Sequence, residues 1–283
     1  MSTPPSKRRK KKTKKKQYWL PIAAGLLVVC VLVGGIVFLE SAMKPGPEPT
    51  ETATEPMPTL PPNPYSAQDF AYDGRGYLSL TSGEYQLGID VSDHQHQIDW
   101  HQVAGAGIEF AFIRIGYRGY SEGGIYADEC AGDNLRQAKA AGLQVGAYFY
   151  SQALNAEEAA EEAAFCVEFL QNYEIDLPVV FDWEYVSEEA RTGAMDPVTL
   201  TQCAQTFCSA IEDAGYEAML YFNPHLAEDY YLLPELQAYP FWLAMYTDQM
   251  TYPSKIDCWQ YTDAGTVPGI EGGVDINLRF IGS

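Results

Sequence analysis

Basic residues are scarce over most of this 283-residue chain. Nine of the 18 lie between Lys7 and Lys16, and no acid precedes Glu40. From Glu40 onward, 9 basic residues face 38 acidic ones, a net charge of −29. A region that acidic repels phosphate backbones, which excludes nucleic acid as its partner. Cysteine motifs are also missing. No C-x-x-C occurs, so a metal cluster is not indicated. Five cysteines lie beyond the apolar N-terminal run: Cys130, Cys166, Cys203, Cys208 and Cys258. An odd number cannot all pair within one chain. Cys203 and Cys208 stand five apart in an expected helix, a poor geometry for a disulfide. These thiols read as small buried hydrophobes. The chain shows no internal repeat.

Charge is absent again from Leu20 to Leu39. Twenty helical residues rise about 30 Å, the thickness of a bilayer's hydrocarbon core. Tyr18 and Trp19 stand at its start, where interfacial aromatics belong, and the block KRRKKKTKKK precedes it. The basic side stays cytoplasmic. The expectation is therefore a cytoplasmic tail (1–17), one transmembrane helix (18–39), and everything after it outside the cell. Ser41–Met43 is a poor match to a signal-peptidase site, which favours an uncleaved anchor. Pro, Thr and Glu dominate residues 40–66, which are expected as a disordered, extended stalk, with 67–86 as a short lead-in.

Aromatics are plentiful, at 13% of residues. From residue 87 onward, short apolar runs alternate with helical patterns. Strands are expected at 87–92, 110–116, 144–151, 177–184, 217–223, 241–246, 258–262 and 275–280. Helices are expected at 128–141, at 155–173 with Asn155 as cap, and from Asp196 with Pro197 in the first turn. This alternation implies an α/β fold with a parallel sheet, and eight strands suggest a closed barrel. The later links are too short or too Pro-rich for full helices. The expected fold is thus an irregular TIM-like β/α barrel spanning 87–283, complete in helices only in its first half.

One strand, PVVFDWEYV, carries Asp182 and Glu184 in an apolar setting. Alternation puts both carboxyls on one face and Trp183 on the other. Burial and like charge raise one pKa of such a pair. The outcome, one protonated acid beside one carboxylate, is what cleavage of a glycosidic bond requires. A D-x-E pair alone is weak evidence in so acidic a chain. The pattern repeats, however. Asp90 ends another apolar strand, and Asp275 shares a face with Asn277 and Arg279. Tyr148 with Tyr150, Trp242 with Tyr246, and Trp259 with Tyr261 also share faces, and Tyr221 lies on a further strand. Acids and rings converging on one mouth describe a carbohydrate cleft. His94 and His96 form an H-x-H with His101, Asp93 and Asp99 close by, but no third strong ligand stands at a set spacing, and these read as loop and rim residues rather than a metal site.

The segments GIDVSDHQHQIDW, FIRIGYRGY, VGAYFYSQA, PVVFDWE, GYEAMLYFN, FWLAMY, WQYT and VPGIEGGVDINL resemble, in collinear order, the motifs of glycoside hydrolase family 25 lysozymes (N-acetylmuramidases). The resemblance implies an irregular barrel with acids at its C-terminal mouth and no metal or other cofactor. It implies Glu184 as proton donor, with Asp182, Asp90 and Asp275 as the other catalytic acids. Tyr148, Tyr150, Tyr221, Trp242, Tyr246, Trp259 and Tyr261 match groove positions, and Arg114 is counted with them as substrate-binding. One departure is His96, where many relatives have Gly. The expected function is a monomeric, membrane-anchored bacterial lysozyme acting outside the cell on peptidoglycan glycan strands. Two rivals are a non-catalytic glycan-binding module and a chitinase-like hydrolase. The intact acids oppose the first. The second lacks its longer D-x-x-D-x-D-x-E run here.

Overall fold

The computed structural model describes residues 59–282. The basic tail, the apolar segment 18–39 and most of the expected stalk lie outside the described residues. Among the described residues, no helix is long and apolar enough to cross a membrane.

The first strands form a small hairpin, β1 (Phe70–Tyr72) and β2 (Leu78–Leu80). A barrel follows. Its strands are β3 (Glu84–Val91), β4 (Phe110–Arg118), β6 (Gln144–Ser151), β7 (Val179–Trp183), β8 (Ala218–Phe222), β9 (Phe241–Ala244), β10 (Cys258–Gly265) and β11 (Val274–Ile281). The short β5 (Ile125–Ala127) pairs with β4 outside the ring. All eight strands expected from the sequence are present. Neighbours from β3 through β10 run parallel. The last strand departs from the all-parallel expectation, because β11 is antiparallel to both β10 and β3. Only residues 266–273 join β10 to β11. That is too short for a parallel crossover, so the chain turns back as a hairpin.

Helices follow the early strands: α1 (Trp100–Gly105), α2 (Ala131–Ala140), α3 (Ala156–Leu170), α4 (Pro197–Asp213) and the short α5 (Pro224–Asp229). Local chemistry starts the longer ones. Asn155 accepts from the Glu158 amide at 3.0 Å, and Asp196 accepts from the amides of Val198 and Thr199. No helix separates β9 from β10. The expected asymmetry of the barrel is therefore present.

Phe110, Phe112, Val180, Met219 and Trp242 fill the barrel interior. Phe112 stacks on Trp242 with ring centroids 4.7 Å apart. Gly88 and Gly146 make room for these rings, since a Cβ at either would run into Phe110 or Phe112. The outer layer buries Trp183, Phe149, Phe181 and Phe222 beneath the helices. Packing starts ahead of residue 67. Lys255 N donates to Pro61 O and Asn63 N to Pro253 O, each at 2.8 Å, and the Tyr65 ring lies 4.5 Å from Phe280. Residues 60–66, which composition assigns to the stalk, thus lie against the barrel wall.

Candidate active site

Four acids meet at the C-terminal mouth. Asp182 is the last inward residue of β7, and Glu184 follows just past the strand end. Asp90 on β3 faces Asp275 on β11 as its register partner. All four line one pocket with Tyr148, Tyr150, Tyr221, Trp242 and Tyr246. Alternation explains the convergence: the residues between them, such as Trp183 and Val91, point into the outer layer.

Two buried amides hold this arrangement. Asn277 donates to Asp90 Oδ2 at 2.8 Å and accepts from Trp242 Nε1 at 2.8 Å. Gln260 donates to the same Asp90 oxygen at 2.9 Å. Its carbonyl accepts from the hydroxyls of Tyr221 at 2.9 Å and Tyr246 at 3.2 Å. Gln260 is missed by the sequence reading; a polar residue between two aromatics, Trp259 and Tyr261, in the buried half of the strand is the one signal that could mark it.

Burial dominates the electrostatics. It pushes the Asp90 carboxyl up to about 6, against the opposing pull of the Asn277 and Gln260 donors. It pushes Asp275 up to about 8, aided by the negative charges of Asp90 and Asp263. Asp182 rises well above the ordinary carboxylate range through burial, then through Glu184 and Asp90, with Arg114 opposing. Glu184 also rises, by burial first and then by Asp90. From the sequence, the proton is expected on Glu184. In this site burial raises both carboxyls, and Asp182 Oδ1 is buried and accepts no hydrogen bond. Arg114 does not neutralise the pair. Its Nε donates to Asp128 at 2.9 Å and its Nη2 to Asp93 at 2.6 Å.

A brace stands behind Glu184. Gln152, fully buried, donates from Nε2 to the Glu184 carbonyl oxygen at 2.8 Å. Thr192 donates to Gln152 Oε1 at 2.7 Å, and Arg191 donates to the Gln152 carbonyl at 2.8 Å. Arg191 also makes two bonds to Glu158, at 2.6 and 2.8 Å. This locks the backbone that carries the acid.

Two expected groove residues lie elsewhere. Trp259 and Tyr261 belong to the outer layer, not the mouth. Phe70 packs edge-on against Trp259 at 5.1 Å, and Tyr261 OH accepts from Leu78 N at 3.3 Å. The β1–β2 hairpin therefore covers the face they occupy, and Gln260 between them turns inward. His94 lines the mouth, whereas His101 sits on α1 beside a separate groove. His96 has φ of +51°, a conformation that glycine adopts more easily, and it is the sole non-glycine with positive φ among the described residues. Among the described residues no three potential ligands cluster to hold a metal. The five cysteines among the described residues are free thiols, four of them buried.

The profile of Glycosyl hydrolases family 25 matches residues 89–270. The protein YegX of Escherichia coli K12 is 30% identical over 209 residues, covering 68% of each chain. Lysozyme M1 of Streptomyces globisporus is 28% identical over 209 residues, covering 69% of this chain and 68% of its own. Among solved structures, the modular autolysin LytC of Streptococcus pneumoniae, in complex with a synthetic peptidoglycan ligand, aligns with a TM-score of 0.64. The alignment, at 23% identity, covers 75% of this chain and about half (52%) of that one, and it shows a shared fold. The profile match across the barrel, together with the YegX identity, shows that this chain belongs to glycosyl hydrolases family 25.

Proposed function

We propose that this chain is a lysozyme that hydrolyses the β-1,4 bond between N-acetylmuramic acid and N-acetylglucosamine in peptidoglycan. Family membership and the lysozyme relative support a glycoside hydrolase of this type. The observation that carries the mechanism is the buried, unpartnered Asp182 Oδ1 beside Glu184. A buried acceptor without a donor is costly, and a ligand N–H satisfies it. The acetamido group of the muramic acid supplies such an N–H.

In this reading, substrate binding redistributes the protons of the coupled acids. The incoming N–H favours ionised Asp182, and the proton is then held by Glu184. Glu184 donates it to the leaving glycosidic oxygen. The acetamido oxygen, polarised by Asp182, attacks the anomeric carbon as the C–O bond breaks. Asp182 stabilises the cationic ring so formed. Water then opens that ring, giving its proton to Glu184, and the configuration is retained. Asp90 and Asp275 keep the local field negative, which favours positive charge developing in the sugar. The aromatic walls Tyr148, Tyr150, Tyr221, Trp242 and Tyr246 exclude water and seat the sugar, with Arg114 at the rim. The basic block and the apolar segment after it support a second part of the proposal: the enzyme is tethered to the bacterial membrane, with the barrel outside and acting as a monomer.

Digestion of purified peptidoglycan, followed by identification of the new reducing end, tests this function. Muramic acid at that end is the expected result, and glucosamine refutes it. The first-formed anomer, read by NMR, should be β; an α product would exclude assistance by the acetamido group.

A further inference from the structure

The four acids of the mouth are not held alike. Among the described residues, Asp90 is the one of the four that accepts from side-chain amides. Asn277 at 2.8 Å and Gln260 at 2.9 Å both donate to its Oδ2. All three residues are buried. The reversed last strand brings them together. Asn277 on β11 is the register partner of Gln260 on β10 and of Gly88 on β3, two residues before Asp90 on the same face.

Neither amide is free to turn. Trp242 Nε1 can only donate, and it donates to Asn277 Oδ1, so the Asn277 NH2 group faces the carboxyl. The hydroxyls of Tyr221 and Tyr246 donate to Gln260 Oε1, so the Gln260 NH2 group faces it too. A flip of either amide would set a carbonyl oxygen against Asp90 and leave buried donors unpaired. Two donors aimed at one oxygen favour the ionised carboxyl, because hydrogen bonds to a charged acceptor are the stronger kind.

The surroundings of Asp90 make its charge matter. Asp182 and Glu184 approach from β7, Asp275 from β11, Arg114 from β4, and His94 from the loop after β3. Burial holds the hydroxyls of Tyr148, Tyr221 and Tyr246 and the Cys258 thiol neutral. Arg114 is engaged by Asp93 and Asp128. Burial raises the Glu184 carboxyl first, and the Asp90 charge raises it next.

We propose that Gln260 and Asn277 are positioning residues that fix the negative charge of the mouth on Asp90, and that this charge keeps the transferable proton on Glu184. The inference rests on the lysozyme reading, which makes Glu184 the donor.

The test is a carbon-13 NMR titration of the full-length chain labelled at its glutamate side-chain carboxyls, with the Glu184 signal identified by Glu184→Gln. Gln260→Met and Asn277→Leu each keep the side-chain bulk and delete one donor to Asp90. Asp90 then takes up a proton more readily, its charge is lost, and the Glu184 midpoint should fall by about one pH unit. Asp90→Asn removes the charge outright and should lower the midpoint at least as far. Adding Gln260→Met to Asp90→Asn should lower it no further, since both act through one group. The alkaline limb of kcat on peptidoglycan should move to lower pH together with the midpoint. A midpoint that stays in place in Asp90→Asn overturns the proposal. So does one that stays in place in both donor deletions, or that falls further in the double variant. The midpoint is read without turnover, so failure of the lysozyme reading shows separately, as absent cleavage or glucosamine ends from the unsubstituted chain.

Discussion

This domain buries carboxylates in two places and treats them in opposite ways. At the mouth, Asp90, Asp182, Glu184 and Asp275 share one pocket whose nearest guanidinium, Arg114, is engaged by Asp93 and Asp128. Behind the mouth, Glu158, Glu161 and Glu162 surround Arg118 and Arg191. There each carboxylate has a guanidinium partner. Glu158 is held low by its bonds to Arg191 and the Leu154 amide, in spite of burial. Even so, burial pushes the fully enclosed Glu162 up to about 7. The second cluster shows what the fold does with buried acids when only stability is at stake. The first is left uncompensated, and uncompensated acids are the ones that can hold and move protons.

Four substitutions or conditions sharpen this contrast. The largest effect is expected at Glu184→Gln. The isostere keeps the shape but donates no proton, so turnover on peptidoglycan should fall about 10³-fold or more with glycan affinity retained. A mild loss in a turbidity assay would assign the acid elsewhere.

Second, Arg118→Met should strip Glu162 of its partner. Breaking a buried pair costs about 3–5 kcal/mol, which chemical denaturation should register. A stability equal to the parent would mean that the cluster is not matched as described.

Third, Asp182→Asn should do the reverse. It replaces a buried carboxyl whose Oδ1 lacks a donor with an amide that cannot ionise, so the domain should gain about 0.5–2 kcal/mol while activity drops severely. Loss of both stability and activity would remove the distinction between the two clusters.

The last condition is pH. Asp90, Glu162 and Asp275 have folded values of about 6, 7 and 8, all above those of an unfolded chain. Their contribution is fully present below the unfolded value, about 4, and is lost as pH rises through the folded ones. Thermal stability should therefore decline between about pH 4 and pH 8, and activity should fall on the alkaline side as Glu184 loses its proton. A melting temperature that rises across this window contradicts the raised values.

Much of this site was legible in the residue order. The period-2 pattern of PVVFDWEYV puts Asp182 and Glu184 on one face, and the D-I-N pattern does the same for Asp275 and Asn277. The same rule misplaces Trp259 and Tyr261. Strand β10 is buried on both faces, so alternation says which residues share a side and not which side faces the mouth. Gln152 carries no local signal for its contact with Glu184, because the two elements meet only when β6 and β7 pair.

By itself, then, the sequence determined the elements and the chemistry: eight apolar runs, their caps, and acids at the ends of strands. These follow from local hydrophobic periodicity and side-chain capping, which act over a few residues. The tertiary structure decided which face of each strand became the interior, where the hairpin β1–β2 lay, and which acids were left without donors. Those outcomes depend on contacts between segments far apart in the chain, such as Asp90 with Gln260 and Asn277, which no local pattern encodes.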